Sequence, residues 1–207
     1  MQFSYARKFQ SIQRKIVLLH ITKKQEVVQV LDKSFEMFIT ADEIQQEIAS
    51  LGAQITQDYE GKELIFLSVL NGAFMFTSDL MKKINLECEV SFVKVSSYSG
   101  TSSRGHVDEL IGLNTDLKDK HVIIIEDIVD TGVTIGKIRH LLKEKDTASI
   151  AVCTCLYKPA AYNGEIQPEY VGFSIPNAFV VGYGLDYNEK ARNLDSIYQI
   201  RQTNTEN

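Results

Sequence analysis

No apolar run in this chain is long enough to cross a bilayer, and the run Ile16 to Ile21 near its start is too short even for a signal h-region. A basic excess is missing too. With 22 Lys and Arg against 27 Asp and Glu, the net charge is −5, which argues against nucleic acid as the main partner. An anionic ligand would need local donors or a metal. Cysteine is scarce, three in 207 residues. Cys153 and Cys155 lie two apart and project from one face of a strand, whereas zinc sites space their ligands as C-x₂₋₄-C and recruit more of them. The reading is buried, reduced thiols in a cytoplasmic protein. There are no internal repeats and no second core. A hydrophobic content of 44% with only three prolines suits one domain, or one domain plus a small flap.

The most informative segment is His121 to Thr134, HVIIIEDIVDTGVT. Val122, Ile123, Ile124 and Ile125 are β-branched and do not alternate with polar residues, as expected of a strand buried on both faces of a parallel sheet. Glu126 and Asp127 then fall at its carboxyl end, where open α/β sheets bind ligands. The turn Asp130-Thr131-Gly132-Val133-Thr134 leads into the helical pattern Ile135, Ile138, Leu141, Leu142. A helix N-terminus offers free N–H groups and a favourable dipole to a phosphate, and Thr131 and Thr134 add hydroxyls. Two adjacent carboxylates in an apolar cleft call for hydroxyls or a cation as partners. The G-K-[ST] ending of a Walker A loop is missing, so a phosphorylated sugar suits the loop better than a nucleoside triphosphate.

Residues 1–25 carry Arg7, Lys8, Arg14, Lys15, Lys23 and Lys24 and no acid. A partner-docking tail, a disordered extension and a start codon assigned too early all fit this segment. Residues 26–207 form the expected domain. Val28–Leu31 and Phe35–Ile39 flank Asp32-Lys33-Ser34 as a hairpin. Thr40 and Glu43 form a capping box, and Ile44, Ile48, Leu51 and Ile55 are spaced as a helix reaching about Tyr59. Leu64–Leu70 is a second buried strand, followed by the turn Asn71-Gly72 and a helix from Phe74 to about Ile84. Val90–Val95 is a strand that breaks into a Ser/Gly-rich, mobile run from Ser96 to Gly105. Val107–Gly112 returns as a strand, and Ser149–Tyr157 is another. Tyr170–Phe173 and Phe179–Gly182 are expected to build the flap.

The segment Glu126 to Thr134 resembles the phosphoribosyl pyrophosphate motif of type I phosphoribosyltransferases. Val69-Leu70-Asn71-Gly72, Ser97-Tyr98, Tyr157-Lys158-Pro159 and the string Phe179 to Glu189 narrow the resemblance to the hypoxanthine and hypoxanthine-guanine members, over about Phe35 to Arg201. It implies an α/β fold with a mostly parallel central sheet flanked by helices, and a flap built from N- and C-terminal segments. It also implies transfer of a ribose 5-phosphate group from phosphoribosyl pyrophosphate to N9 of a 6-oxopurine, with Mg²⁺ as cofactor.

By the same resemblance, Glu126 and Asp127 hold the ribose hydroxyls and, with Asp186, are metal candidates. Asp130 is the candidate base at purine N7, and Asp130 to Thr134 hold the 5-phosphate. Lys158 addresses purine O6, Phe179 stacks on the ring, and the Val180 backbone and Asp186 face its 2-position. Asn71, Gly72 and Arg192 contact pyrophosphate, the loop peptide sometimes being cis. Ser97 and Tyr98 head a lid over the reacting centre. By residue type alone, Lys158 and Arg192 would pass for solvated charges and Phe179 for core.

The chain departs from the pattern at Asn71, where some relatives carry lysine, and in Pro159-Ala160-Ala161-Tyr162, where many carry a basic residue. Val133 stands where polar residues are common. The resemblance further implies a homodimer or homotetramer. The alternative is a regulator that senses phosphoribosyl pyrophosphate or purines on the same fold without turnover. Its usual appended DNA-binding module has no counterpart here beyond the short basic segment.

Overall fold

The computed structural model describes residues 27–98, 107–113 and 115–201. The basic segment 1–25 and residues 99–105, the rest of the expected lid, lie outside the described residues.

The sheet that positions the site is built on β6 (His121–Val129), flanked by β3 (Leu64–Val69) and β7 (Ser149–Tyr157), all parallel. β4 (Cys88–Tyr98) adds in parallel beyond β3, and β8 (Tyr170–Ser174) does so beyond β7. β5 (Val107–Ile111) closes one edge antiparallel to β4. The order β5-β4-β3-β6-β7-β8 therefore contains five parallel strands.

The absence of alternation in β6 has a direct cause. Ile123 and Ile125 enter one core with α1 (Ala41–Asp58) and α2 (Phe74–Met81), while Val122 and Ile124 enter another with α3 (Val133–Leu142). Helices on both faces leave no side of the strand to water. The expected capping box forms: Thr40 N–H donates to the Glu43 carboxylate at 2.8 Å, and Glu43 N–H donates to Thr40 Oγ1 at 3.3 Å. Ile44, Ile48, Leu51 and Ile55 are all buried along α1.

A second, antiparallel sheet has the order β1-β2-β10-β9. Its strands are β1 (Val27–Val30), β2 (Lys33–Ile39), β9 (Val180–Val181) and β10 (Ile197–Ile200). N- and C-terminal segments thus combine into the small flap, with its own core of Val28, Val30, Phe35, Val181 and Tyr198.

Several boundaries move. The hairpin turn is Leu31-Asp32, with Leu31 at φ 53, because β2 begins at Lys33 and pairs directly with Val30. Tyr170–Phe173 belongs to the main sheet and not to the flap. Tyr170 pairs with Cys153 and is buried against Tyr59, a long-range contact that alternation does not announce. α2 stops at Met81, where Lys83 N–H turns back to Leu80 O. Ser97 and Tyr98 are the last residues of β4, paired with Asp108 and Val107, so the loop begins later than the serine content suggests. β6 runs to Val129, because Ile128 and Val129 still pair with Leu156 and Tyr157.

Ile124 is fully buried in the central strand. Ile124→Ala should lower unfolding free energy by about 2–5 kcal/mol in urea titrations with an unchanged m-value.

Candidate active site

β6 carries Glu126 and Asp127 into the crevice at the carboxyl edge of the parallel strands. Glu126 is buried, and loss of water together with the neighbouring Asp127 charge pushes its carboxyl well above the ordinary range. Burial likewise pushes Asp127 up to about 6. The Ile128 N–H, donating to Asp127 Oδ1 at 2.9 Å, and the positive charge of Arg192 oppose that shift without cancelling it.

Backbone presses on this pair. A Cβ at Gly72 would overlap the Asp127 carboxylate, and a Cβ at Gly184, which has φ 96, would overlap the Gly72 carbonyl. Glycine is thus required twice, once for close approach and once also for its left-handed backbone. The peptide bond between Leu70 and Asn71 is cis. The isomer in question therefore belongs to the bond before Asn71, not to Asn71-Gly72.

Beyond β6, Gly132 adopts φ 84 and caps α3 without any side-chain hydrogen bond to the helix. Gly136 N–H takes the Gly132 carbonyl at 2.9 Å, which leaves the amides of the first turn facing the loop. Thr131 Oγ1 lies a long 3.5 Å from Val133 N. A cavity of about 290 Å³ is lined by Glu126 through Ile135, so acid pair and helix N-terminus share one space. The chain after β7 supports this loop from behind: Asn163 N–H donates to Thr131 O at 3.2 Å, and Tyr162 lies where a side chain on Gly132 would go. Tyr162 carries no signal in the sequence. Its place is set by edge-on packing against Tyr157, at 5.4 Å between ring centroids, and by its hydroxyl donating to the Ile166 carbonyl.

Lys158 is 7% exposed, far from a solvated lysine. Its backbone N–H donates to Val129 O at 3.0 Å, and its Nζ meets Asp130 Oδ2 at 2.9 Å. The two groups expected to address the purine are therefore ion-paired with one another across the mouth of the loop.

The third wall is the hairpin from Tyr183 to Leu194. Arg192 is turned into it, with Nη2 2.8 Å from Asp186 Oδ1 and 3.1 Å from Glu189 Oε2, and Nη1 donating to Gly184 O at 2.9 Å. Asp186 also accepts the Glu189 N–H at 2.7 Å. Glu126, Asp127 and Asp186 do not close into a cage, since among the described residues no three acidic, His or Cys side chains are placed to hold a metal. A Mg²⁺ ion, which usually keeps water and takes one or two carboxylates plus substrate oxygens, fits such a donor set.

Phe179, just before β9, is 45% exposed despite its aromatic character. Its ring is held by Phe35 at 6.1 Å and edge-on by Tyr187 at 5.9 Å between centroids. The Val180 side chain is buried, but β9 is an edge strand, so among the described residues one side of its backbone has no strand partner. Asn71 is exposed beside buried Gly72.

A family model described as phosphoribosyl transferase domain matches residues 39–188. The hypoxanthine phosphoribosyltransferase of Haemophilus influenzae is 42% identical over 169 residues, covering 80% of this chain and 94% of that protein. The hypoxanthine-guanine phosphoribosyltransferase of Staphylococcus aureus is 44% identical over 167 residues, covering 80% and 93%. Among solved structures, a hypoxanthine phosphoribosyltransferase from Staphylococcus aureus superposes with TM-score 0.74 at 41% identity, covering 80% of this chain and 91% of that one. A ternary substrates complex of the Trypanosoma cruzi enzyme gives 0.72 at 34%, covering 80% and 94%. Motif, fold and cleft agree with these matches, and the chain belongs to the phosphoribosyl transferase domain family, in its hypoxanthine and hypoxanthine-guanine phosphoribosyltransferase branch.

Proposed function

We propose that this protein is a cytoplasmic purine-salvage enzyme that transfers the 5-phosphoribosyl group of phosphoribosyl pyrophosphate to N9 of hypoxanthine and guanine, giving IMP or GMP and pyrophosphate. The observation that carries the assignment is the convergence of a buried acid pair, a helix N-terminus and the Asp130–Lys158 pair in one cleft. Thr131, Gly132, Val133 and Thr134 take the 5-phosphate at the start of α3. Glu126 and Asp127 accept from the ribose hydroxyls and offer oxygen to Mg²⁺, with Asp186 on the opposite wall. The ion supplies charge neutralisation for the departing pyrophosphate.

Arg192 and the Asn71 and Gly72 peptides hold that pyrophosphate, and Asp186 would hold the Mg²⁺ beside it. In the reaction the C1′–O bond to pyrophosphate breaks, the N9–C1′ bond forms, and the purine proton passes to Asp130 from N7. Lys158 donates to O6, where negative charge grows as the base loses its proton. Phe179 stacks on the ring, and the free backbone edge at Val180 reads its 2-position. Ser97 and Tyr98, the last residues of β4, stand at the lid position, where exclusion of water would protect the sugar donor. The sensor alternative finds no support among the relatives described.

We infer further that copies of the chain associate through β4. Val93 turns into the core under α3, so Val90 and Phe92 face the other way, where they remain 45% and 43% exposed with Phe74 at 42%. A strand face of this kind is normally covered, and a second copy covers it in the homo-oligomer proposed here. No helix among the described residues is long and apolar enough to cross a membrane.

Pyrophosphate release with Mg²⁺, phosphoribosyl pyrophosphate and each of hypoxanthine, guanine, xanthine and adenine should show turnover with 6-oxopurines only. Asp130→Asn should reduce it by about 10²-fold or more, the usual scale of a lost general base. Tight donor binding without turnover on any base would overturn the assignment. Phe92→Glu should halve or quarter the sedimenting mass, and an unchanged mass would remove β4 from the interface.

The acid pair sets a pH dependence. Asp127 has its carboxyl raised from 3.8 to about 6 in the folded protein. The folded state therefore holds its proton where the unfolded chain has lost it, and stability from this group is complete below the lower value and declines as pH rises to the upper one. Asp127→Asn should flatten that decline in the ligand-free protein by ~1 kcal/mol or more between acid and neutral pH in thermal unfolding. Donor binding has the opposite slope in the wild type, since Mg²⁺ and hydroxyl donors need the ionised form.

A further inference from the structure

Two walls of the pyrophosphate region come from distant parts of the chain. One is the turn after β3, with its cis bond and Gly72, and the other is the hairpin that carries Gly184, Asp186 and Arg192. At their closest approach they meet backbone to backbone, where the Gly72 carbonyl lies against Gly184 with no room for a side chain. Backbone contact of this kind sets a minimum distance but does not hold the walls together.

Tyr183 immediately precedes Gly184, has φ 50 and is 3% exposed. Its hydroxyl donates to Asp79 Oδ2 at 2.8 Å. Asp79 stands on α2, the helix that begins two residues after Gly72, and its carboxylate also receives Gln45 Nε2 from α1 and Lys82 Nζ, each at 2.7 Å. α2 is itself fastened to β3 by the buried pair Ser68 Oγ and Thr77 Oγ1, 2.7 Å apart. Burial works to raise the Asp79 carboxyl, but the hydrogen bonds from Lys82, Tyr183 and Gln45 outweigh it and hold it below its ordinary value. The acceptor therefore stays ionised at neutral pH, and a tyrosine hydroxyl bonded to a carboxylate is stronger than a neutral pair.

We infer that Asp79 is a positioning residue for the pyrophosphate end of the donor, acting through Tyr183 to lock the Gly72 turn and the Asp186–Arg192 hairpin at a fixed separation. The inference rests on the phosphoribosyltransferase reading. Neither residue touches the reacting atoms. Their effect is to keep two sets of pyrophosphate contacts at a spacing that one dianionic ligand bridges, and loosening that spacing weakens the donor and the product pyrophosphate while leaving the purine pocket on the Phe179 side alone.

Tyr183→Phe removes one oxygen and keeps the ring in the core. It should raise KM for phosphoribosyl pyrophosphate and Ki for pyrophosphate about tenfold, the scale of a lost hydrogen bond to a charged group. KM for hypoxanthine should stay near wild type, and the melting temperature should fall by no more than the few degrees that one lost hydrogen bond costs. Asp79→Ala should reproduce the effect, Asp79→Asn should recover most of it because the amide oxygen still accepts from Tyr183, and the double variant Asp79→Ala, Tyr183→Phe should be no worse than either single one. A lower melting temperature with unchanged donor KM, an equal rise in both KM values, or additive losses in the double variant would overturn the inference while leaving the enzyme reading intact. Absence of wild-type turnover on every base would overturn that reading and the inference with it.

Discussion

Keeping the Glu126–Asp127 pair out of water is the constraint around which this molecule is arranged. Two adjacent carboxyl groups largely withdrawn from water oppose folding unless protons, hydroxyls or cations satisfy them, and both are pushed toward their protonated forms. The rest of β6 makes the arrangement tolerable. Its apolar residues feed cores on both faces of the sheet, so the strand is anchored strongly enough to carry an unfavourable end. The same free energy that disfavours this carboxyl pair favours a ligand that brings hydroxyls and a divalent cation.

The surrounding elements serve this pair by direct contact. Gly72 lies against Asp127, Gly184 lies against Gly72, and the cavity continues from the acids to the first turn of α3. Side chains would have separated these segments, so the site is compact because backbone meets backbone and carboxylate. The charged groups engage one another, Lys158 with Asp130 and Arg192 with Asp186. Each such pair offsets part of the desolvation that its members suffer, and each must exchange its partner when substrate enters. Phe179, half in water, is the complementary case of an apolar surface held in place by neighbouring rings.

Much of this was legible before any coordinates. The unalternating β-branched run before Glu126, the capping box at Thr40 and the spacing of Ile44, Ile48, Leu51 and Ile55 are local signals, and local hydrogen bonding and burial produced the elements they announce. Where sequence and structure part company, the deciding contact is remote. Tyr170 joined the main sheet because of Cys153 and Tyr59, and β4 ran on through Ser97 and Tyr98 because β5 was there to pair with it.

By itself the sequence determined the parallel α/β class and an acidic loop suited to a phosphorylated sugar, because residue types and short spacings carry that information, and its resemblance to a known family supplied the reaction. Only the tertiary structure decided that Lys158 faces Asp130, that Tyr162 backs Gly132, that Gly184 meets Gly72 and that Asp79 grips Tyr183. Each of these joins residues whose separation along the chain says nothing of their distance in space. They are set by how the packed layers bring loop ends together, and no local pattern encodes that.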